Sequence, residues 1–208
     1  MKKKVIALAL GCAVTLGCAI GGTLAWLTDS TNEVQNVFTT SDITVALAET
    51  TGDDYRMIPG WTIDKDPVVT VKAGSEDCWV FIEVVESGGE VTVDGTAYSF
   101  DDFIAYQIDE NNWEQLRDGA QNPVPGVYVG KAPCKDIKVD RAMKVLLNNQ
   151  VTVDEAVTKE MMNALTADDY PTLTFKAYAS QLMKDNETEF ASYEAWLNIA
   201  DPGGAANA

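Results

Sequence analysis

Hydrophobic residues recur at every second position over much of the chain beyond residue 40, which is the period of β-strands. In the most regular segment, one face consists of Cys78, Val80, Ile82 and Val84. Trp79 and Phe81 make the opposite face apolar as well. Because a strand that is apolar on both faces is covered on both sides, this pattern predicts a strand at the centre of its sheet.

Short turn sequences separate the alternating segments. They are Pro59-Gly60, Ala73-Gly74-Ser75, Ser87-Gly88-Gly89 and Asp94-Gly95. The Asp-Gly pair predicts a tight hairpin between residues 90–93 and 96–100. Short strands with turns about every eight to twelve residues are typical of an antiparallel β-sandwich or jelly roll. We therefore predict a mainly β domain of this jelly-roll-like class over residues 41–201, with one or two helical insertions.

Two segments have the apolar spacing of helices. Thr152 and Glu155 predict a capping box at the start of the first, and its apolar face consists of Val153, Ala156, Val157, Met161, Ala164 and Leu165. Asn186 and Glu189 predict a similar start for the second, and its apolar face consists of Phe190, Tyr193, Trp196, Leu197 and Ala200. This aromatic stripe favours packing against the core, with a partner groove as the alternative. Residues 202–208 are predicted to form a flexible tail.

The N-terminus has the pattern of an export signal. Three lysines precede an apolar run over residues 5–27. The small residues before the end of this run favour cleavage between Ala25 and Trp26, with residues 1–25 as the signal peptide. Two alternatives stay open, because the run is long enough for a retained membrane anchor and because Cys18 is a candidate for acylation.

Residues 21–49, GGTLAWLTDSTNEVQNVFTTSDITVALAE, resemble the signal and start region of the TasA/camelysin family of secreted proteins. Residues 57–86 and 172–181 resemble further strands of that family, and the three blocks cover under half of the chain. The resemblance implies processing between Ala25 and Trp26 by a signal peptidase of the SipW type. It also implies that the mature protein builds fibres of an extracellular biofilm matrix.

The predicted mature chain is strongly acidic. The full sequence of 208 residues has 15 basic and 32 acidic side chains, a net charge of −17. Cleavage removes three basic residues and no acidic ones, which leaves 183 residues with a net charge of −20. Such a surface repels nucleic acid and anionic lipids, so we predict no nucleic-acid partner and no binding to membrane surfaces. Because no second apolar span follows the signal, we also predict a mature form that is not embedded in a membrane. Close packing of many copies is predicted to need salt or divalent cations.

The chain contains no histidine. This removes Ser-His and Cys-His nucleophile pairs, a histidine base and the HExxH zinc helix. Paired acids occur at Asp53-Asp54, Asp101-Asp102, Asp109-Glu110 and Asp168-Asp169. None has the alternating ligands and central glycine of a calcium loop, and such pairs are common in turns. We predict no catalytic residue, no metal ligand and no cofactor. A structural calcium ion stays an alternative, as does a metallopeptidase like the camelysin-like relatives, which the missing histidine disfavours.

Two of the four cysteines lie in the predicted signal peptide, which leaves Cys78 and Cys134. An oxidising exterior permits a disulfide between them that closes a loop of 57 residues. The alternative is two separate buried thiols, since Cys78 lies in a predicted strand and Cys134 in a loop after a proline.

Cleavage releases residues 26–40, for which we predict an extended donor strand. An antiparallel sheet with an unfilled edge accepts such a segment from a neighbouring molecule through main-chain hydrogen bonds. The candidate anchors are Trp26, Val34, Val37 and Phe38. Because head-to-tail addition does not close, it produces fibres. The alternative is that this segment is the domain's own first strand or a loose leader.

The sequence thus predicts a secreted, extracellular and non-catalytic structural subunit that associates with itself. A monomeric surface-binding or adhesin module stays open as another class. Such a module would present exposed aromatic residues on one rim, for which Trp61 and Trp113 are the candidates.

Overall fold

The computed structural model describes residues 42–52 and 55–200. Within them the fold is mainly β, with antiparallel sheets and two α-helices. The strands are β1 Val45–Ala48, β2 Thr62–Asp64, β3 Val68–Val71, β4 Cys78–Ser87, β5 Val91–Val93, β6 Thr96–Tyr98, β7 Ile104–Ile108, β8 Trp113–Arg117, β9 Pro123–Gly130, β10 Arg141–Lys144, β11 Leu146–Val153 and β12 Thr172–Gln181. The α-helices are α1 Lys159–Ala164 and α2 Ser192–Ala200, and single 3₁₀ turns lie at Phe100–Asp102 and Ala167–Asp169.

Several predictions concern residues outside the described ranges. They are the signal peptide at residues 1–25 with its cut between Ala25 and Trp26, the donor segment at residues 26–40 with Trp26, Val34, Val37 and Phe38, and the tail at residues 202–208. Within the described ranges, no helix is both long and apolar enough to cross a membrane.

The described strands form four antiparallel sheets. Their orders are β1-β3-β10, β2-β11-β7, β12-β4-β9-β8 and the two-stranded β5-β6. The longest pairing joins β4 to β12 over ten residue pairs, from Cys78 opposite Gln181 to Ser87 opposite Thr172. Because β4 also pairs with β9, it has a neighbour on each side. The predicted central position of this strand is confirmed.

The two faces of β4 contact different hydrophobic clusters. Cys78, Val80 and Ile82 are fully buried or nearly so and belong to a cluster with β3 and Trp113. Phe81, on the opposite face, is fully buried in a second cluster that includes α2. The alternation read from the sequence therefore reflects burial on both sides, since each face is covered by a different layer.

The predicted hairpin at Asp94-Gly95 is confirmed. Strand β5 pairs with β6, with Val93 opposite Thr96. Asp94 has φ 49° and Gly95 has φ 81°. Two successive positive φ angles define the tight turn whose twist matches that of the flanking strands, and Asp-Gly is a preferred sequence for it.

The first predicted helix starts later than its sequence indicated. Thr152 and Val153 belong to β11, where Thr152 lies opposite Ala105, so the predicted capping box with Glu155 is wrong. The cap is Thr158, whose hydroxyl accepts a hydrogen bond from Met161 N at 3.2 Å. Thr152 has the local sequence pattern of a helix cap, but its main-chain groups are hydrogen-bonded in the sheet instead, so the tertiary structure overrides the local preference.

The second helix also starts later, at Ser192 rather than near Asn186. Before it, the Asp185 carboxylate accepts from Glu187 N and Thr188 N, each at 2.8 Å. This is a carboxylate-stabilised turn, which competes with helix formation. Glu194 closes the start of α2 by accepting from Ala191 N at 3.1 Å.

The aromatic members of the predicted stripe pack on the β12-β4 sheet, whereas Leu197 and Ala200 are exposed. The Trp196 ring lies 5.4 Å from Phe81 and 5.6 Å from Tyr178, measured between centroids. Trp79 Nε1 donates to Phe190 O at 2.8 Å just before the helix. Tilted and edge-on aromatic pairs at these distances add to the free energy of burial, so the aromatic residues of the stripe belong to the core.

Candidate functional site

A groove separates the consecutive strands β7 and β8. Strand β7 pairs with β11 and strand β8 pairs with β9, and within the described residues no ladder joins β7 to β8. The two strands diverge from one turn into two different sheets, and the space between them has a volume of about 1130 Å³. The groove is therefore bounded by two strand edges.

The turn at the head of the groove is held by Asp109. Its Oδ1 accepts from Asn111 N at 3.0 Å and from Asn111 Nδ2 at 2.8 Å, and its Oδ2 accepts from Asn112 Nδ2 at 2.9 Å. The side chain is buried. The acidic pair Asp109-Glu110 thus builds a turn, and the bonds to Asn111 and Asn112 explain why β7 ends here.

The main chain of β7 faces both β11 and the groove. Ala105 lies opposite Thr152, and Asp109 N donates to Val145 O at 2.8 Å, which places the odd-numbered residues on the β11 side. Main-chain groups alternate between the two sides of a strand. Tyr106 and Ile108 therefore present their N–H and C=O groups to the groove.

The same alternation applies to β8. Lys131 N donates to Asn112 O at 3.0 Å and Glu114 lies opposite Val129. Residues at even positions thus face β9, and Gln115 presents its main-chain groups to the groove. The groove is lined on both long sides by donors and acceptors of the kind that an added strand uses.

The floor of the groove is aromatic and aliphatic. Tyr106, Ile108 and Tyr128 are half-buried and pack on the first core cluster. Trp113 is fully buried beneath them, and its Nε1 donates to Lys144 O at 2.7 Å. The proposed aromatic rim that included Trp113 is therefore wrong, because this indole belongs to the core. Trp61 is 58% exposed, but it lies at the turn before β2 and not at the groove.

Acidic side chains surround the groove. Glu86, Asp101, Glu110 and Glu114 are exposed lining residues, and Lys131 is a basic one. Unscreened carboxylates this close together repel any further negative charge that enters. A segment that occupies the groove is therefore opposed by charge and favoured by main-chain bonds and apolar burial.

Tyr106 connects the floor to the acidic rim, since its hydroxyl donates to Glu86 Oε1 at 2.5 Å. Burial raises the pKa of Tyr106, and the bond to Glu86 and its charge raise it further. Burial also raises the pKa of Tyr128, with a smaller contribution from Glu86. Both hydroxyls are thus kept neutral well into the alkaline range, and that of Tyr106 stays a donor to Glu86.

We expect the domain to lose stability as the pH rises above about 10, where tyrosines of the unfolded chain ionise. The folded state holds these protons more tightly, so the stabilisation is complete below that pH and decreases above it. Tyr106→Phe should reduce the slope of unfolding free energy against pH by up to about 1.4 kcal/mol per pH unit. The slope is measured by urea denaturation at pH values about one unit apart, from about pH 8 to about pH 11, a range that includes the tyrosine pKa. Tyr170→Phe, at an exposed position, is the control, and equal slopes in both variants would contradict the assignment.

Two further acidic pairs within the described ranges stabilise local turns. Asp102 accepts from Ser99 N at 2.8 Å and Asp169 accepts from the Thr166 hydroxyl at 2.5 Å, so each carboxylate serves a local turn. Within the described ranges, no group of three or more carboxylate or thiol side chains is arranged to hold a metal ion. Asp53-Asp54 lies outside these ranges.

The structure does bring Cys78 and Cys134 together. They lie opposite each other in an isolated antiparallel bridge, and both side chains are buried as free thiols. The sequence placed one in a strand and one in a loop, and both statements are correct. The loop crosses the start of β4, which sequence spacing alone does not reveal.

The groove was not predicted from the sequence. Its signal in the sequence is the alternation of Ile104, Tyr106 and Ile108, followed by the turn residues of 109–112. That pattern predicts a strand with one apolar face, but it does not say which strand covers its edge. Comparison with known proteins found no match, neither to a protein-family model nor to a curated protein nor to a solved structure.

Proposed function

We propose that the mature chain is a secreted, non-catalytic structural subunit that forms extracellular fibres by strand donation. In this proposal, cleavage between Ala25 and Trp26 frees residues 26–40, and this segment of one copy enters the groove between β7 and β8 of the next. Each copy then carries one donor and one acceptor. Repetition of the same contact gives an open filament.

The observation that carries the proposal is the pair of strand edges that face each other across the groove. A strand added there would pair with β7 on one side and β8 on the other, and would join the β2-β11-β7 sheet to the β12-β4-β9-β8 sheet. Its alternate side chains would cover Tyr106, Ile108 and Tyr128, which are half-buried. Main-chain bonds would supply affinity and side-chain burial would supply register.

The length of the proposed donor suits the groove. Strands β7 and β8 have five residues each, a length of about 17 Å at about 3.3 Å per residue. Residues 26–40 extend over about 50 Å by the same measure. The segment is therefore long enough to fill the groove of a neighbour and still reach back to β1 at Val45.

We also propose that the sheets pack as an antiparallel sandwich of the jelly-roll type and that the chain is related to the TasA/camelysin family. The first is supported by the clusters on the two faces of β4. The second is supported by the resemblance of residues 21–49. Both agree with a rigid β-rich building block located outside the cell.

The proposal is tested by electron microscopy of the chain that begins at Trp26, over a series of salt concentrations. The net charge of −20 and the acidic rim oppose assembly, and the proposed donor carries Asp29 and Glu33. Raising the ionic strength from about 0.01 to about 0.15 M shortens the screening length from about 30 to about 8 Å. We expect fibres whose growth rate rises about tenfold or more over this range.

The matched variant is Glu110→Gln with Glu114→Gln, which removes two rim charges. It should form fibres at lower salt than the unchanged chain. Monodisperse particles at every salt concentration would contradict the fibre proposal and favour the monomeric surface-binding module, for which the exposed Trp61 is the remaining candidate contact.

A further inference from the structure

Cys78 and Cys134 occupy directly opposed positions of a two-residue antiparallel bridge. Cys78 N donates to Cys134 O at 2.9 Å, and Cys134 N donates to Cys78 O at 2.8 Å. Residues that exchange both hydrogen bonds have Cα atoms about 5.5 Å apart and side chains on the same face. This separation lies at the centre of the range found in disulfides.

We infer that Cys78 and Cys134 form an intramolecular disulfide that closes residues 78–134 into one covalent loop. The backbone does not have to move, because the main-chain bonds already hold the pair in register. Two neighbouring bonds support it: Asp136 N donates to Asp77 Oδ1 at 2.9 Å and Gly74 N donates to Ile137 O at 2.8 Å.

The electrostatics of the pair distinguish the two sulfurs. A hydrogen bond from the Cys78 thiol lowers the pKa of Cys134, and the charge of Arg141 lowers it further. The same bond, together with burial, raises the pKa of Cys78. Both shifts depend on contacts made in the folded pair, so they do not determine which thiol reacts first during folding.

The oxidant is an external disulfide, such as that of a thiol oxidoreductase or of oxidised glutathione. The thiolate of one cysteine attacks one of its sulfurs, which forms a mixed disulfide and releases one thiol. The other cysteine then loses its proton and attacks the sulfur of the first, which releases the second thiol. Two protein thiols are oxidised by two electrons and one external disulfide is reduced to two thiols. Since both sulfurs are buried, this exchange occurs before the loop closes during folding.

The loop that the disulfide closes contains the groove. Strands β4 to β9 lie between residues 78 and 134, and so do all lining residues of the groove except Leu147. Strands β7 and β8, the two long sides of the groove, therefore both lie within the covalent ring. The role of this ring in holding a donor strand depends on the proposed function, whereas the disulfide itself does not.

The first test is mass spectrometry of the chain beginning at Trp26, which contains Cys78 and Cys134 as its only cysteines. The chain is folded with oxidised and reduced glutathione, then alkylated in denaturant. We expect no alkylation, a mass about 2 Da below that of the dithiol because two hydrogens are lost, and a proteolytic fragment that links the two cysteines. Two alkylated thiols, glutathione adducts or disulfide-linked dimers would each overturn the inference.

The second test compares oxidised and reduced forms of the same chain by denaturant unfolding. A ring of 57 residues is expected to raise the folding equilibrium constant about a hundredfold to a thousandfold. Cys78→Ser with Cys134→Ser should match the reduced form and show no response to reductant. If the oxidised and reduced chains were equally stable, the inference that the native backbone accommodates the disulfide without strain would be wrong. Failure of fibre growth with a verified disulfide would contradict the proposed function alone.

Discussion

A mature chain that lacks residues 26–38 is expected to remain folded and monomeric under conditions in which the chain beginning at Trp26 forms fibres. The deletion removes the proposed anchors Trp26, Val34, Val37 and Phe38 and leaves every described strand in place. Because each filament contact would need one donor, the loss of fibres should be complete. Electron microscopy and light scattering measure it, and circular dichroism establishes that the deleted chain is folded.

A synthetic peptide of residues 26–40 provides the complementary experiment. It should bind the deleted chain in a one-to-one complex and, in excess, stop the growth of fibres from the unchanged chain. A peptide of scrambled sequence with the same charge is the control, because strand addition requires a side-chain register. Fibres from the deleted chain would contradict strand donation. An unfolded deleted chain that the peptide restores would indicate that the segment is the domain's own first strand.

Gly126→Ala is expected to destabilise the domain by about 3 kcal/mol. Gly126 lies in β9 with φ 68°, and a Cβ there would lie 2.6 Å from Val84 O of the adjacent strand. The left-handed conformation alone costs an alanine about 1–2 kcal/mol, and forcing the strands apart adds about 1–3 kcal/mol. Since β9 holds β8, the same change should weaken peptide binding at the groove.

The matched control is Gly95→Ala, in the hairpin between β5 and β6. Gly95 has φ 81°, and a Cβ there would meet nothing within 4 Å. It should therefore show only the conformational cost of about 1–2 kcal/mol. Denaturant unfolding of both variants separates the two contributions, and equal losses would mean that β4 and β9 do not approach as closely at Gly126 as the structure has them.

The features that were predicted correctly depend on residues close together in the sequence. The alternation of residues 78–84, the Asp94-Gly95 turn and the aromatic stripe of α2 each report a local conformation with a preferred residue pattern. The helix starts were predicted wrongly because a local capping signal was outweighed. At Thr152 the competitor was pairing with β7, and near Asn186 it was the turn held by Asp185.

The candidate site illustrates what local patterns do not contain. Trp113 was a candidate binding aromatic but is fully buried, and its indole donates to Lys144 O at the end of β10. Tyr106 and Ile108 have the alternation of a covered strand, but they lie at an edge of β7 that none of the described strands pairs with. The burial of Trp113 and the pairing of the β7 edge both depend on which segment, remote in the sequence, packs next to them.

The sequence by itself determined the β-rich class of this protein, its strongly acidic charge, the absence of histidine chemistry and the positions of its clearest turn and central strand. These follow from periodicity, composition and backbone preferences that act over a few residues. Only the tertiary structure decided that β7 and β8 diverge into different sheets, that a groove opens between them and that Cys78 meets Cys134. Strand pairing is set by contacts between segments that are remote in the sequence, and local residue patterns do not contain those contacts.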